Sequence, residues 1–207
     1  MPVTSTVAAA IIAGGRARRL GGAAKPFLEV DGVAIADRQL AVLRPLFGRI
    51  IAVVADAADA AVWRERGVET VTDAVAGAGP LAGVAAALAA AAPGAVVCVA
   101  GDLPFLSPAL LAALRDRDPE AGAIAAKTAG GQVEPLCARY GPRCLAELQT
   151  RLAAGRLALH ALLAETEGTV WLRGEELAAL DPGGRSFLNV NTPEDLARAD
   201  RLARGGG

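Results

Sequence analysis

Apolar runs alternate with segments of helical periodicity along most of this chain. Such alternation is typical of strands joined by helical crossovers, so the pattern predicts an α/β fold with a mainly parallel sheet. The first predicted strands are residues 7–13, 49–55, 68–72 and 95–100. The predicted helices that follow them are residues 34–46, 58–66, 81–91 and 109–117. Ser107-Pro108 supplies the capping pair expected at the start of the last of these helices.

The pattern changes after Gly122. Two apolar segments flank Ala129-Gly130-Gly131-Gln132, which predicts a hairpin of residues 123–128 and 133–140 and therefore a mixed sheet. The remaining predictions are helices at 142–153 and 158–165, a strand at 169–172 and an edge segment at 187–190. Thr192-Pro193-Glu194 predicts the capped start of the last helix, and residues 203–207 a frayed tail.

Composition narrows the class of protein. A chain of 207 residues, 53% apolar and with a formal net charge of -1, predicts one domain over residues 1–207 and argues against a nucleic-acid partner. No uninterrupted apolar run approaches the roughly 18 residues of a membrane span, so we expect no membrane association. Cys98, Cys137 and Cys144 are odd in number and lack zinc-ligand spacing, which favours reduced thiols in a cytoplasmic protein.

A loop rich in glycine and arginine follows the first predicted strand. The sequence IIAGGRARRLGGAAK, residues 11–25, places four glycines, three arginines and Lys25 directly after apolar residues. Glycines let a backbone approach an anion closely, and the cations neutralise it, so the loop is suited to phosphates. It matches neither the G-x-x-x-x-G-K-[ST] nor the G-x-G-x-x-G phosphate motif. A plain strand-to-helix turn with solvated arginines is an equally good interpretation of the loop alone.

Asp102 ends another predicted buried strand, within Gly101-Asp102-Leu103-Pro104-Phe105. A carboxylate there suits Mg²⁺, which combines one or two protein carboxylates with phosphate oxygens and water. Capping of the following turn is the alternative role for this aspartate. Because parallel strands end at the same edge of a sheet, we expect Asp102 to lie beside the glycine- and arginine-rich loop.

Asn189 and Asn191 precede the last predicted helix. Alternate residues of an extended segment point the same way, so the two amides are placed to converge on one ligand. A role confined to closing the turn is equally consistent with the two asparagines. The helix start itself needs only Thr192, Pro193 and Asp195.

These elements, in this order, resemble the molybdenum cofactor guanylyltransferases. The resemblance rests on AGGRARRLGG-x-x-K from Ala13, GPLAG from Gly79, GDLPFL from Gly101 and FLNVNTPEDL from Phe187, with weaker matches at EPL from Glu134 and AGR from Ala154. It implies a three-layer, Rossmann-like nucleotidyltransferase fold with a mainly parallel mixed sheet. It also implies transfer of GMP from GTP to the terminal phosphate of molybdopterin, with release of pyrophosphate.

The resemblance also implies roles for individual residues. Those expected to bind the nucleotide are Ile12, Ala13, Gly14, Gly15, Lys25, Asp73, Gly79, Pro80 and Leu81. Those expected to face the pterin are Arg19, Gly22, Arg156, Asn189 and Asn191. Catalysis is expected to rest on Arg19, Lys25 and Asp102, with Asp102 holding Mg²⁺ as the cofactor.

The implied reaction requires no side-chain nucleophile, because the attacking phosphate oxygen of molybdopterin is already anionic. The protein then needs to orient the two substrates and neutralise the charge that develops at the α-phosphorus and on pyrophosphate. His160, the single histidine, has apolar neighbours in a predicted helix and is expected to be a packed or surface residue and not a catalytic one. Besides GTP and molybdopterin as substrates, we expect transient contact with molybdoenzymes or cofactor-insertion proteins.

Two positions depart from the pattern of the family. Ala24 stands where aspartate usually precedes the lysine, and Val53 where an asparagine commonly contacts the nucleotide. Two alternatives therefore stay open beside the guanylyltransferase. One is a cytidylyltransferase or another transferase for a small phosphate ester, with base selection near Gly77–Gly83. The other is a nucleotide-binding partner protein with impaired catalysis, against which Lys25 and Asp102 argue.

Overall fold

The computed structural model describes residues 7–14, 24–72 and 78–205. Within them the strands are β1 (Ala8–Ile12), β2 (Glu29–Val30), β3 (Val33–Ala34), β4 (Ile50–Val54), β5 (Glu69–Thr72), β6 (Val96–Ala100), β7 (Ala123–Lys127), β8 (Val133–Tyr140) and β9 (Thr169–Leu172). The helices are α1 (Ile35–Leu43), α2 (Ala57–Glu65), α3 (Gly79–Ala91), α4 (Pro108–Asp116), α5 (Cys144–Ala153), α6 (Leu159–Glu165), α7 (Gly174–Leu180) and α8 (Pro193–Ala203).

Seven of the nine described strands form one sheet in the order β5-β4-β1-β6-β8-β7-β9, and β2 and β3 pair as a separate hairpin. The pairs among β5, β4, β1 and β6 are parallel, as is β7 with β9, whereas β8 runs antiparallel to both of its neighbours. The prediction of a mainly parallel mixed sheet is therefore confirmed. Because β8 is reversed, it begins at the edge where β1, β4 and β6 end.

Helices cover both faces of the sheet, which confirms the three-layer architecture. One buried cluster joins the sheet to α1, α2, α4 and α7, and a second joins the other face to α3, α5 and α6. β1 is buried along its whole length, as its uninterrupted apolar sequence predicts. Helix α3 packs closely against β1 at Gly83. A Cβ added at this glycine would sit only 2.9 Å from Cγ2 of Ile12.

Side-chain caps begin several helices where the sequence predicts them. The Ser107 hydroxyl accepts from the Leu110 amide at the start of α4, with an N···O distance of 3.3 Å. At α8, Thr192 and Asp195 form a capping box in which each side chain accepts from the other residue's backbone amide. The helix reaches Ala203, and Arg204 Nε lies 2.8 Å from Asp31 Oδ1, within the segment predicted as a frayed tail.

The predicted hairpin of β7 and β8 is confirmed, with the Thr128 amide donating to the Gln132 carbonyl across the turn at 2.9 Å. The register between the two strands changes inside this hairpin. Ala125 pairs with Ala138, but Ala126 pairs with Glu134, so residues 135–137 of β8 are extra. Such an irregularity re-aims the side chains of the longer strand.

The prediction of an edge segment at 187–190 is wrong. Phe187 is the last residue of a 3-10 helix, Pro182–Phe187, residues 188–190 follow it outside any strand, and the sheet edges are β5 and β9 in the described chain. Val190 is instead buried with Ala199 of α8 and Val30 of the β2–β3 hairpin. Its apolar character therefore comes from packing against a small third cluster and not from sheet pairing.

Helix α7 and the β2–β3 hairpin were not predicted. The hairpin has a clear signal, since Asp31-Gly32 separates two valines and both turn residues have positive φ, 50° and 71°. Asp-Gly is among the preferred pairs for a two-residue hairpin turn. Apart from the edge segment at 187–190, every predicted helix and strand is present, with ends displaced by three residues at most.

Candidate functional site

The ends of β1 and β6 bring two of the predicted motifs together. Ile12 pairs with Ala100, and the Gly101 amide donates to the Ile12 carbonyl at 3.0 Å. A Cβ added at Gly101 would lie 2.7 Å from Cγ of Pro26 and 3.2 Å from the Ile12 oxygen. Glycine therefore lets the chain that carries Asp102 pass directly under the segment that carries Lys25. The described ends of the glycine- and arginine-rich loop, residues 11–14 and 24–25, therefore meet the Asp102 turn at one sheet edge, as expected.

Lys25 connects Asp102 to the asparagine segment. Its Nζ lies 2.8 Å from Asp102 Oδ2 and also donates to Asn191 Oδ1. The Lys25 side chain is 24% exposed and that of Asp102 is 12% exposed. The Val190 amide donates to the Asp102 carbonyl at 3.0 Å, which ties the two segments through their backbones as well.

One oxygen of Asp102 has no partner within the described chain. Oδ2 accepts from Lys25, but Oδ1 is buried and receives no hydrogen bond. A buried carboxylate oxygen without a donor is costly, so in a working site it requires a ligand.

Gln39 holds the turn that carries Asp102. This residue of α1 is buried, and its Nε2 donates to the carbonyls of Ala100 at 2.7 Å and Leu103 at 3.0 Å. The two acceptors lie on either side of the aspartate in the sequence. Sequence reasoning missed Gln39, although a glutamine among the apolar positions of an amphipathic helix is a signal for a buried polar contact.

A cavity of about 790 Å³ opens at this edge of the sheet. Among the predicted site residues, those that line it are Ile12, Ala13, Gly14, Lys25, Gly79, Pro80, Asp102 and Asn189. Asn191 reaches the site through its hydrogen bond to Lys25. Gly79, with a φ of 64°, starts α3 in a backbone conformation that side chains other than glycine rarely adopt.

The remaining predicted residues are placed differently or not described. Leu81 is fully buried between α3 and the sheet and does not line the cavity. Arg156 is exposed beyond α5, with its NH2 group 3.5 Å from Glu147 Oε1, and does not line the cavity either. Four predicted site residues lie outside the described residues: Gly15, Arg19, Gly22 and Asp73.

Comparison with known proteins identifies the family of this chain. The family model described as the MobA-like NTP transferase domain matches residues 9–170. The chain belongs to the MobA-like NTP transferase family. Its enzymatic class is therefore that of a nucleotidyltransferase, as the resemblance implies.

Relatives of this MobA-like nucleotidyltransferase match over nearly its whole length. It is 36% identical to the probable molybdenum cofactor guanylyltransferase of Chloroflexus aggregans, covering 95% of this chain and 94% of the relative. It is 34% identical to the molybdenum cofactor guanylyltransferase of Mesorhizobium japonicum, with 95% of both chains covered. The crystal structure of molybdopterin-guanine dinucleotide biosynthesis protein A from Archaeoglobus fulgidus has a TM-score of 0.82 at 28% identity, covering 96% of this chain and 99% of that one.

The family departures at Ala24 and Val53 have simple local settings. Ala24 is half-buried and accepts from the Phe27 amide at 3.0 Å, at the start of the 3-10 helix Lys25–Phe27. Val53 is buried in β4, and its carbonyl accepts from the Ala13 amide at 2.8 Å. It lines the cavity, so the wall at this position is apolar.

The start of β8 supplies cavity residues to which the sequence assigned no role. Glu134, Pro135 and Leu136 line the cavity because the reversed strand begins at this edge. Burial raises the pKa of the Glu134 carboxyl above its usual value. Lys25 is the one cationic side chain among the described lining residues, so two carboxylates and one ammonium face the cavity there.

Proposed function

We propose that this protein transfers GMP from GTP to the terminal phosphate of molybdopterin and releases pyrophosphate. The observation that carries the proposal is the joint contact of Lys25 with Asp102 and Asn191 in the lining of a cavity of about 790 Å³. The names of the relatives from Chloroflexus aggregans and Mesorhizobium japonicum support it.

In the proposed reaction a phosphate oxygen of molybdopterin forms a bond to the α-phosphorus of GTP. The bond from that phosphorus to the bridging oxygen of the β-phosphate breaks, and pyrophosphate leaves with the electron pair. Lys25, in the lining of the cavity, is proposed to neutralise phosphate charge, and Ala13 and Gly14, which also line it, are proposed to contact the phosphates through their backbones. His160 is exposed on α6 and does not line the cavity, consistent with a reaction that needs no side-chain nucleophile.

We propose Asp102 as the protein ligand of a Mg²⁺ ion. Its unpartnered, buried Oδ1 fits a hard cation, and phosphate oxygens and water complete such a coordination shell. The ion supplies neutralisation of phosphate charge when bound. No group of three or more metal-binding side chains occurs among the described residues, so the remaining ligands would come mainly from the substrate.

The two substrates are assigned to opposite sides of Asp102. The nucleotide is placed against Ile12, Ala13, Gly14, Gly79 and Pro80, and the pterin against Asn189 and Asn191. Gly15, Lys25 and Asp73 remain proposed contacts of GTP, whereas Arg19, Gly22 and Arg156 remain proposed contacts of the pterin. Leu81 is proposed to act through its backbone, because its side chain is buried in the core.

We place the reaction in the cytoplasm, in keeping with three buried and unpaired cysteines, and propose transient contact with the enzymes that receive the product. Among the described residues no helix is both long and apolar enough to cross a bilayer.

The experiment that tests the function combines calorimetry with turnover. GTP, CTP and ATP are titrated in the presence of Mg²⁺, and pyrophosphate release is then measured after molybdopterin is added. Selective GTP binding followed by release is expected. Release with CTP alone would favour a cytidylyltransferase, and tight binding without release would favour a nucleotide-binding partner protein.

Asp102→Ala tests the proposed metal role within the same assay. We expect a loss of pyrophosphate release of about 100-fold or more, as for removal of one key electrostatic group. Glu120→Ala is the matched control, because Glu120 is an exposed carboxylate that does not line the cavity. Full magnesium-dependent activity in Asp102→Ala would rule out the metal role of this residue.

A further inference from the structure

Within the described part of the chain, Glu134 is a carboxylate without a cationic partner, in a cavity proposed to bind polyanions. It lies at the start of β8, is half-buried and lines the cavity. Among the described residues it forms no ion pair, whereas Asp102 in the same cavity is paired with Lys25. A charge of this sign would repel phosphates, so its ligand must present hydrogen-bond donors or a cation.

The order of the strands places Glu134 on the side of the cavity away from the proposed nucleotide site. Val53 on β4 and Gly79 at the start of α3 form one side. Asp102, after β6, lies in the middle, and Glu134 on β8, the strand beyond β6, forms the other side. The irregular register at residues 135–137 lies directly beside Glu134, in the same stretch of β8 that lines the cavity. Glu134 therefore faces the acceptor substrate.

An ionised carboxylate has no hydrogen to donate, so it acts purely as a hydrogen-bond acceptor. Its two oxygens match a pair of adjacent N–H donors. The 2-amino-4-oxo ring of a pterin presents such a pair, an exocyclic amino group beside a ring N–H. Guanine carries the same edge, so chemistry alone does not separate the two substrates. The position of β8 does, because the guanine is assigned to the opposite wall.

We propose that Glu134 determines specificity for the acceptor by accepting hydrogen bonds from the amino group and ring N–H of its pterin. This inference rests on the proposed function, because it assigns the acceptor side of the same site. The phosphate that reacts is then directed toward Asp102 and Lys25, which line the cavity between β8 and the proposed nucleotide side.

Glu134→Gln tests the inference, because glutamine keeps the size of the side chain but replaces one acceptor oxygen with a donor. We expect the KM for molybdopterin to rise by about 10-fold or more, as for loss of a charge-assisted hydrogen bond, with kcat changed much less. The calorimetric Kd values for GTP and for Mn²⁺ should stay within about twofold of wild type. Glu120→Gln, in an exposed carboxylate outside the cavity, is the matched control.

Three results would overturn the inference: an unchanged KM for molybdopterin, a raised Kd for GTP, or a raised Kd for Mn²⁺. The second would assign Glu134 to the guanine and the third to the metal. Should Glu134→Gln fail to fold, Glu134→Asp retains both oxygens on a shorter stem and is expected to raise the KM for molybdopterin by a smaller factor.

Fluorescence titration of wild type and variant with molybdopterin alone separates the proposed function from the proposed role of Glu134. Absent turnover in wild type would refute the proposed function, whereas Glu134-independent pterin binding would refute only this inference.

Discussion

Lys25 and Asp102 form an ion pair across 77 positions of the chain, with Nζ 2.8 Å from Oδ2. The ammonium thus occupies one oxygen of the carboxylate that is proposed to hold the metal. The other oxygen, Oδ1, is buried and without a hydrogen-bond partner among the described residues. Lys25 is therefore placed to serve both as counter-ion of Asp102 and as a contact for substrate phosphates.

Lys25→Met should separate these two roles. Without the ammonium, Asp102 no longer has a competing cation, so we expect Mn²⁺ to bind about 10-fold more tightly in the absence of nucleotide. Pyrophosphate release should fall by about 100-fold, because phosphate charge is no longer neutralised. Electron paramagnetic resonance of free Mn²⁺ measures the first effect. Lys127→Met is the control, since Lys127 is exposed at the end of β7. Unchanged or weaker Mn²⁺ binding in Lys25→Met would contradict the counter-ion role.

Gln39→Leu should loosen the turn that carries Asp102. The substitution leaves the buried carbonyls of Ala100 and Leu103 without their donor, which costs about 1–3 kcal/mol of unfolding free energy. Urea denaturation measures the stability, and the Kd for Mn²⁺ in the presence of GTP reports on the position of the carboxylate and should weaken. Gln149→Leu, at an exposed position of α5, is the control. A variant that lost stability but kept wild-type Mn²⁺ affinity would show that Gln39 does not position Asp102.

Gly101→Ala should disrupt the close approach between the turn that carries Asp102 and the segment that carries Lys25. Its Cβ would come within 2.7 Å of Pro26 and 3.2 Å of the Ile12 carbonyl, and the latter is backbone that moves only with β1. We expect a loss of about 1–3 kcal/mol in unfolding free energy together with reduced turnover. Gly48→Ala provides the comparison, because a Cβ there meets nothing within 4 Å. Equal stability of the two variants in thermal or urea denaturation would refute the close approach of Gly101 to Pro26 and Ile12.

Asp195→Ala should show a stability defect that depends on pH. Hydrogen bonds, chiefly from the Asn191 amide, lower the pKa of the Asp195 carboxyl in the folded protein. Its contribution is therefore present above the unfolded pKa of about 3.9 and is lost as pH falls through the lower folded value. At pH 7 the variant should be about 1 kcal/mol less stable, the usual value of a helix cap.

Urea denaturation of wild type and Asp195→Ala at several pH values checks this expectation, since the difference between them should shrink at pH below about 4. Glu194→Ala is the control: Glu194 lies in the same first turn of α8, but the capping box is formed by its neighbour. A difference in stability that stayed constant with pH would exclude the capping carboxylate as its source.

Local patterns determined most of the fold. The buried strands, the capped helices and the hairpin of β7 and β8 are each specified by residues close together in sequence, and the structure contains them. The β2–β3 hairpin also has a local signal, the Asp31-Gly32 turn between two valines. The segment 187–190 was misassigned for a physical reason: an apolar run reports burial, not the partner against which it is buried.

For the site, the sequence by itself determined which chemistry was available, because a glycine-rich loop and a carboxylate that both follow buried strands must meet at one edge of a parallel sheet. It did not determine which side chains touch. The pairing of Lys25 with Asp102 and Asn191, the support of the turn by Gln39 and the entry of Glu134 into the cavity depend on strand order and on the reversal of β8. Those are products of long-range packing between segments distant in the chain, and only the tertiary structure decided them.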